Sequence, residues 1–476
     1  MYESDSFIEH RILAPDGAIA DWRRRRSRSP LPALLAMAAA VLFTPGCDRS
    51  AEVEPGDLED LISDVTADIH DDIGSVVVVT WNQLEAKHGW VEYTFDEDDW
   101  RRSPPRDWTE GSQRELLLGI PYGTDVVVRL VGVLDAVPTA SDEVSITTDA
   151  LPAEVPTASV VTSQPGLWDP DHPYLLAGLE DWTVILDRQG RVVWVMKTPA
   201  QRVTMHPQTS LDGTDILIDH GSFWATFDNG KASEVIRVKI DGTVVETYAT
   251  EGLHHPFAEL GDGSLIWSAI VGYGETIQRL RPDGGQEQIA SCADLLGGFG
   301  EPGYCGSNTL RWHEPDDSLL YSLYSHETII EVDIETGQAL RLFGHHDGAW
   351  AFDPQDSAFW WQHGGHYTSS GTLLTSSYRA AHNNELVVRE YELDHDNQIL
   401  REIWNYGVGN GIDAEYMGEA HRLPGGNTQH NYGSNPRLRE VLPDGTIAWE
   451  VVWDGGIADR ELGRTTPLGD LYAFLP

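Results

Sequence analysis

Cations are what this chain has least of. Only 32 lysines and arginines stand against 76 aspartates and glutamates in 476 residues, a formal net charge of −44. A field of that sign repels phosphate backbones, which excludes nucleic acid as a partner. Three cysteines are too few for a disulfide-dense scaffold. No apolar run reaches the ~20 residues that a membrane-spanning helix needs, and after residue 60 there is almost no 3.6-residue apolar period, so a helical core is excluded as well. Phosphate-binding loops, glycine patterns for nucleotides and established zinc-ligand spacings are also missing, so no cofactor and no metal are expected. The 41% of hydrophobic residues still require a globular protein, and its length calls for more than one domain.

The N-terminus reads as a leader. Arg23 to Arg26 precede an apolar stretch over 31–43, and Thr44-Pro45-Gly46-Cys47 follow; that length suits a cleaved export signal over 1–46. Cys47 resembles the acylated cysteine of a bacterial lipoprotein. That resemblance implies an extracytoplasmic protein of the periplasm or cell surface, held at the membrane by a lipid anchor. A plain cleaved signal, with Cys47 an incidental thiol, is the alternative. Without the signal the chain keeps 26 basic against 71 acidic residues. Assigning Cys47 to lipid leaves Cys292 and Cys305 as a disulfide for an oxidising compartment, with two buried thiols as the other reading. Closing a loop of that size is worth about 3 kcal/mol by chain entropy.

Residues 47–72 are acidic and poor in aromatics, which predicts a solvated tether. Over 73–150, β-branched and aromatic runs at 76–81, 89–93, 114–118, 126–133 and 143–148 alternate with turn residues, which predicts a small β-sandwich. Its order of features, with Gly119-Ile120-Pro121-Tyr122-Gly123-Thr124 before a valine-rich strand, resembles a fibronectin type III domain, although the corner tyrosine of that family falls at Val126. No chemistry is expected there; the sandwich is a spacer or a surface for a protein partner.

A proline-bounded linker over 151–173 leads into a repeat over 174–476. Each copy has an apolar strand, a turn such as Asp212-Gly213, Asp262-Gly263 or Asp283-Gly284, and another apolar strand, recurring every 40–50 residues. One such four-stranded sheet cannot bury both faces alone, but a ring of them can. The expected fold is therefore all-β, a six-bladed β-propeller preceded by a small β-sandwich, with the last strand joining the first blade.

In a ring of this kind, residues just before the innermost strands converge on the central channel. Histidines occupy several such places: His206, His254 or His255, His363 and His421. Taken singly, each reads as a polar channel residue; it is their recurrence at equivalent positions that points to chemistry. His313, and His345-His346-Asp347 with Asp353, read instead as exposed turns.

Several stretches in order, His254-His255 with Asp262-Gly263, Asn308-Thr309-Leu310, Gln362-His363, and 422–428 (Arg-Leu-Pro-Gly-Gly-Asn-Thr), resemble the bacterial arylsulfotransferase family of extracytoplasmic six-bladed propellers. The resemblance implies transfer of a sulfuryl group from a phenolic sulfate donor to a phenol acceptor, with no nucleotide donor, through a transiently sulfated histidine. His363 matches the nucleophile and His254 or His255 an assisting histidine, while Asn308, Gln362 and His421 are expected to bind substrate. A neutral imidazole suits attack on sulfur, and the charge spread over the sulfuryl oxygens calls for cationic or N–H donors nearby. The chain departs from the family at Gly306, where a histidine is expected, and near Tyr324, where an arginine is expected. His366 or Arg379 is the candidate replacement, with a solvated turn residue as the other reading of each. If nothing does, the protein is a degenerate propeller that binds a ligand or protein; a cation-dependent hydrolase or lyase is a third reading.

Overall fold

Alternating apolar and polar side chains, interrupted by turn residues with positive φ such as Gly213, Gly263 and Gly284, leave almost no sequence free to form helix. The computed structural model describes residues 54–55, 58, 61–96, 99–221, 233–271, 274–296, 305–453 and 462–475, and among these the one α-helix is Cys292–Leu295. The export signal and Cys47 lie outside the described residues.

The N-terminal module packs a three-stranded sheet, Ile62–Ile69, Val77–Gln83 and Gly111–Leu117, over a larger sheet built around Lys87–Thr94 and Asp125–Leu134. Val77, Val79, Trp81, Val91, Trp108 and Leu130 fill the space between them. The sandwich begins earlier than its composition suggests, because Ile62–Ile69, within the acidic stretch expected to be a tether, pairs antiparallel with Val77–Gln83. Ile62, Val65, Ala67 and Ile69 pack on the core while Asp64, Thr66 and Asp68 face out, and an irregularity between Ser63 and Thr66 disguises the two-residue period.

The described residues beyond the sandwich form six antiparallel four-stranded units, five of them from consecutive strands and the first from three consecutive strands plus the last strand of the chain, and two of the sheets add one outer strand. The fifth and sixth sheets carry the extra strands. In the sixth the addition is Ala158–Ser163, which pairs with Ile447–Trp453, so the expected linker over 151–173 is partly sheet. In the first sheet the innermost strand is Thr465–Leu468, which pairs antiparallel with Tyr174–Leu179 and joins the two ends of the repeat region.

Apolar seams hold neighbouring sheets together. Leu176 and Ile216 share one cluster, Leu217 and Phe257 the next, then Ile266 with Leu319, Leu320 with Phe359, and Leu374 with Ala420; Trp449 of the sixth sheet packs with Leu175 of the first. The sheets therefore close on themselves as the blades of a β-propeller. Full burial of each large apolar side chain contributes about 1.5–3 kcal/mol, so the seams outweigh the surface ion pairs. Sandwich and propeller also share a core, in which Ile73, Val76, Leu116 and Leu118 meet Trp194, Ile218, Leu471 and Phe474. Ser75 Oγ donates to the Val193 carbonyl at 2.8 Å across this contact.

Candidate active site

Innermost strands of the third to sixth blades touch in succession, and those of the first and second touch each other, so residues at their starts gather around the channel. A recess of about 290 Å³, part of it open to solvent, is lined there by His206, Asn308, Thr309, His363, Glu419, Asn431 and Arg464, among others. These come from five blades.

His363 lies in the innermost strand Trp360–Tyr367 of the fifth blade, and the pairing register of that strand shifts on both sides of it. Trp361, two residues earlier, has φ of 44°, a left-handed conformation that costs a non-glycine residue on the order of 1 kcal/mol and that clusters at functional sites. Together the shifts and this turn re-aim the imidazole. Its Nδ1 donates to the Trp361 carbonyl at 3.3 Å, which leaves Nε2 as the lone-pair nitrogen. Burial pushes the imidazole down to about 4, so it is neutral near pH 7. Gly364 follows with φ of 68°, and a side chain there would collide with Glu419; glycine allows the fifth and sixth blades to approach.

Opposite His363 stands a buried charge cluster. Glu419 begins the innermost strand of the sixth blade; Arg464 Nε donates to its Oε1 at 3.1 Å, Arg311 donates to the same oxygen, and His421 Nε2 lies 3.3 Å from Oε2. Burial alone would raise the Glu419 carboxyl, but His421, Arg464 and Arg311 more than offset it and hold the group well below its ordinary range. Two guanidinium groups and one carboxylate leave the cluster net positive, in a protein whose overall charge is strongly negative. His206, buried beside it, is held neutral by burial and by the Arg464 charge. Asp219 fixes that corner by accepting from the backbone N–H groups of Met205 and His206, the latter at 2.7 Å.

The expected site residues therefore separate into groups. His363 and Asn308 reach the recess, and Asn308 Nδ2 donates to the Gln362 carbonyl at 2.8 Å. His366 and His421 sit side by side at the charge cluster, with ring centroids 5.8 Å apart, and burial with the Arg311 charge drops His366 to about 3. His366 is thus not a cationic donor at neutral pH. Gln362 is fully buried and does not line the recess; its Nε2 donates to Ser322 Oγ and to the Leu323 and Thr328 carbonyls. Arg379 does not line the recess; half-exposed, it pairs with Glu385 at 3.1 Å, beyond the turn of its own hairpin. His254 is buried in the wall, where burial keeps it neutral against the pull of Glu275. The side chain of His255 lies outside the described residues.

Sequence reasoning missed Arg311, Arg464 and Glu419. Arg464 could have been found, since it precedes the closing strand just as His206 precedes the innermost strand of the second blade.

The positions that depart from the family also have visible reasons. Gly306 has φ of 58°, and a side chain there would strike Ser325 Oγ, so the backbone itself disfavours histidine. Tyr324 puts its ring edge-on to His363, with centroids 5.2 Å apart. Cys292 and Cys305 are paired, with Cα atoms 6.2 Å apart, and brace the adjacent wall.

Fold and channel define the protein as a β-propeller with a polar, partly cationic central recess. No protein-family model matches the chain, and no curated protein matches it. Among solved structures it is similar to a protein of unknown function from Bacteroides caccae (14% identity, 59% of this chain and 93% of that one, TM-score 0.42). It is also similar to a streptogramin B lyase (12%, 65% and 98%, TM-score 0.38) and to a putative 6-phosphogluconolactonase from Bacteroides uniformis (14%, 80% and 99%, TM-score 0.38). These are β-propeller-like proteins, and at such TM-scores the likeness carries no inference about chemistry.

Proposed function

We propose that this is an exported, lipid-anchored transferase of arylsulfotransferase type, in which His363 carries a sulfuryl group between two phenols without a nucleotide donor. The observation that carries this reading is a neutral, buried imidazole on a recess that Arg464 and Glu419 also line, with Arg311, outside the lining, donating to the same Glu419 carboxylate. His363 Nε2 attacks the sulfur of an aryl sulfate; the N–S bond forms, the S–O bond breaks, and the phenolate leaves. An acceptor phenol then loses its proton to solvent, which reprotonates the departed phenolate, and attacks the same sulfur; the N–S bond breaks and His363 returns to its starting state. Arg464 is the donor for the sulfuryl oxygens and takes the place of the arginine missing at Tyr324, while Arg311 holds Glu419 from outside the lining. Removing one such donor costs about 10²–10³ in rate, which sets the expectation for Arg464→Met.

The test mixes the protein with a chromogenic aryl sulfate and a second phenol and follows phenolate release together with the sulfated acceptor. His363→Ala should abolish both products; full activity in that variant would end the assignment. A second reading, a binding propeller without turnover, is favoured by one arrangement: both arginines are already engaged by Glu419, and Tyr324 packs on His363. It predicts saturable binding of the aryl sulfate with no phenolate released.

A further inference from the structure

Apart from the recess, the wall next to it gathers a second set of reactive side chains. Cys292 opens the short helix Cys292–Leu295, Cys305 precedes the innermost strand of the fourth blade, and His326 closes the 3-10 turn Tyr324–His326. One ligand atom from each, two sulfurs and an imidazole nitrogen, lie within 4.8 Å of one another. Both cysteines are buried and His326 is partly so. Backbone bonds hold the three segments together: Ser325 N–H donates to the Cys305 carbonyl at 3.3 Å, and Tyr324 N–H to the Gly306 carbonyl at 3.0 Å. Cys305 N–H in turn donates to the buried Glu275 at 2.9 Å.

The geometry points to a redox-gated metal site: when the Cys292–Cys305 disulfide is reduced, the two thiolates and His326 bind one zinc ion. Zinc takes sulfur at about 2.3 Å and imidazole nitrogen at about 2.0–2.1 Å, so tetrahedral ligands stand roughly 3.5–3.8 Å apart, inside the 4.8 Å span of this set. Two thiolates and one imidazole form a soft donor set that favours zinc over magnesium or calcium, with the fourth position left for water. An external dithiol supplies the electrons: it is oxidised to its own disulfide as the protein's becomes two thiols, and metal binding then releases the thiol protons. The other donor cluster, His313, Asp316 and Glu331, already holds the Arg341 guanidinium against both carboxylates and is a poor competitor. This inference does not depend on sulfuryl transfer. An occupied site would nevertheless stiffen the turn that presents Tyr324 to His363.

The experiment uses the full chain, reduced with dithiothreitol and desalted under anaerobic conditions, with cobalt(II) as the spectroscopic probe. One equivalent should bind with a thiolate-to-cobalt charge-transfer band, and zinc should displace it one for one. The same chain with its disulfide intact should show no band, a control that needs no variant. His326→Ala should weaken cobalt binding at least roughly tenfold, since ligand-set changes of this kind alter affinity on that scale or more, and Cys47→Ser should leave the titration unchanged. Absence of the band after reduction, equal affinity in His326→Ala, or loss of the band in Cys47→Ser would each overturn the proposal.

Discussion

Two stretches of the channel wall each bury a carboxylate, and they satisfy it by opposite means. Glu419 is clamped by cations, Arg311, Arg464 and His421. Glu275 is held by neutral donors: Ser307 N–H, Ser268 Oγ and Tyr321 Oη reach its Oε1 at 2.9–3.0 Å, and Cys305 N–H reaches its Oε2. The first arrangement holds two guanidinium groups on one carboxylate beside the recess. The second uses no cation and knits the third blade to the fourth. Burial alone therefore does not mark a site; what matters is whether the partners carry charge.

The largest test of that contrast is Glu419→Gln. It leaves two buried guanidinium groups without their anion and should cost about 3–5 kcal/mol in urea unfolding. A loss below that of Glu275→Gln would break the comparison.

Acid should weaken the His363 side next. The imidazole titrates at about 4 in the folded protein and near ~6.5 when unfolded, so between those values the unfolded chain binds more protons and stability falls as pH drops. Full titration is worth about 3 kcal/mol. In a transfer assay the acid limb belonging to this group should lie near pH 4; a limb at the ordinary histidine value would mean that His363 is not buried as described. Glu419, whose pKa is depressed, acts in the same direction: its stabilisation is present above the ordinary glutamate range and is lost as pH falls through its lower folded value.

Glu275→Gln should cost roughly 1–3 kcal/mol, the scale of an unmade buried hydrogen bond, with little salt dependence. Smallest of all is the response to inorganic sulfate. At a concentration equal to its Kd it should stabilise the wild type by about 0.4 kcal/mol and stabilise Glu419→Gln more, because there the guanidinium groups lack a counter-charge. Equal shifts in Glu275→Gln and Glu419→Gln would show that the anion binds elsewhere.

The ring was legible in the chain because its strands advertise themselves: apolar pairs flank Asp-Gly turns, and each unit repeats at a nearly constant spacing. Placement of His363 at the channel followed from that repeat. What escaped was whatever depends on partners far apart in sequence. Arg311, Glu419 and Arg464 belong to three blades, and although the place of Arg464 before the closing strand was readable, nothing local tied it to the other two. The strand at Ile62–Ile69 escaped because acidic residues dominate its outer face and an irregularity hides its period. Arg379 and Gln362 show the converse: local motifs marked them, and hairpin geometry turns one toward Glu385 and buries the other between blades.

The strand Thr465–Leu468 closes the ring and brings Arg464 with it, after every other blade has been synthesised. Assembly of the recess is therefore the final event in making the molecule, and a ribosome that stops early releases an open arc lacking a key guanidinium. Such a product leaves uncovered the apolar edge of the first blade that the closing strand would shield.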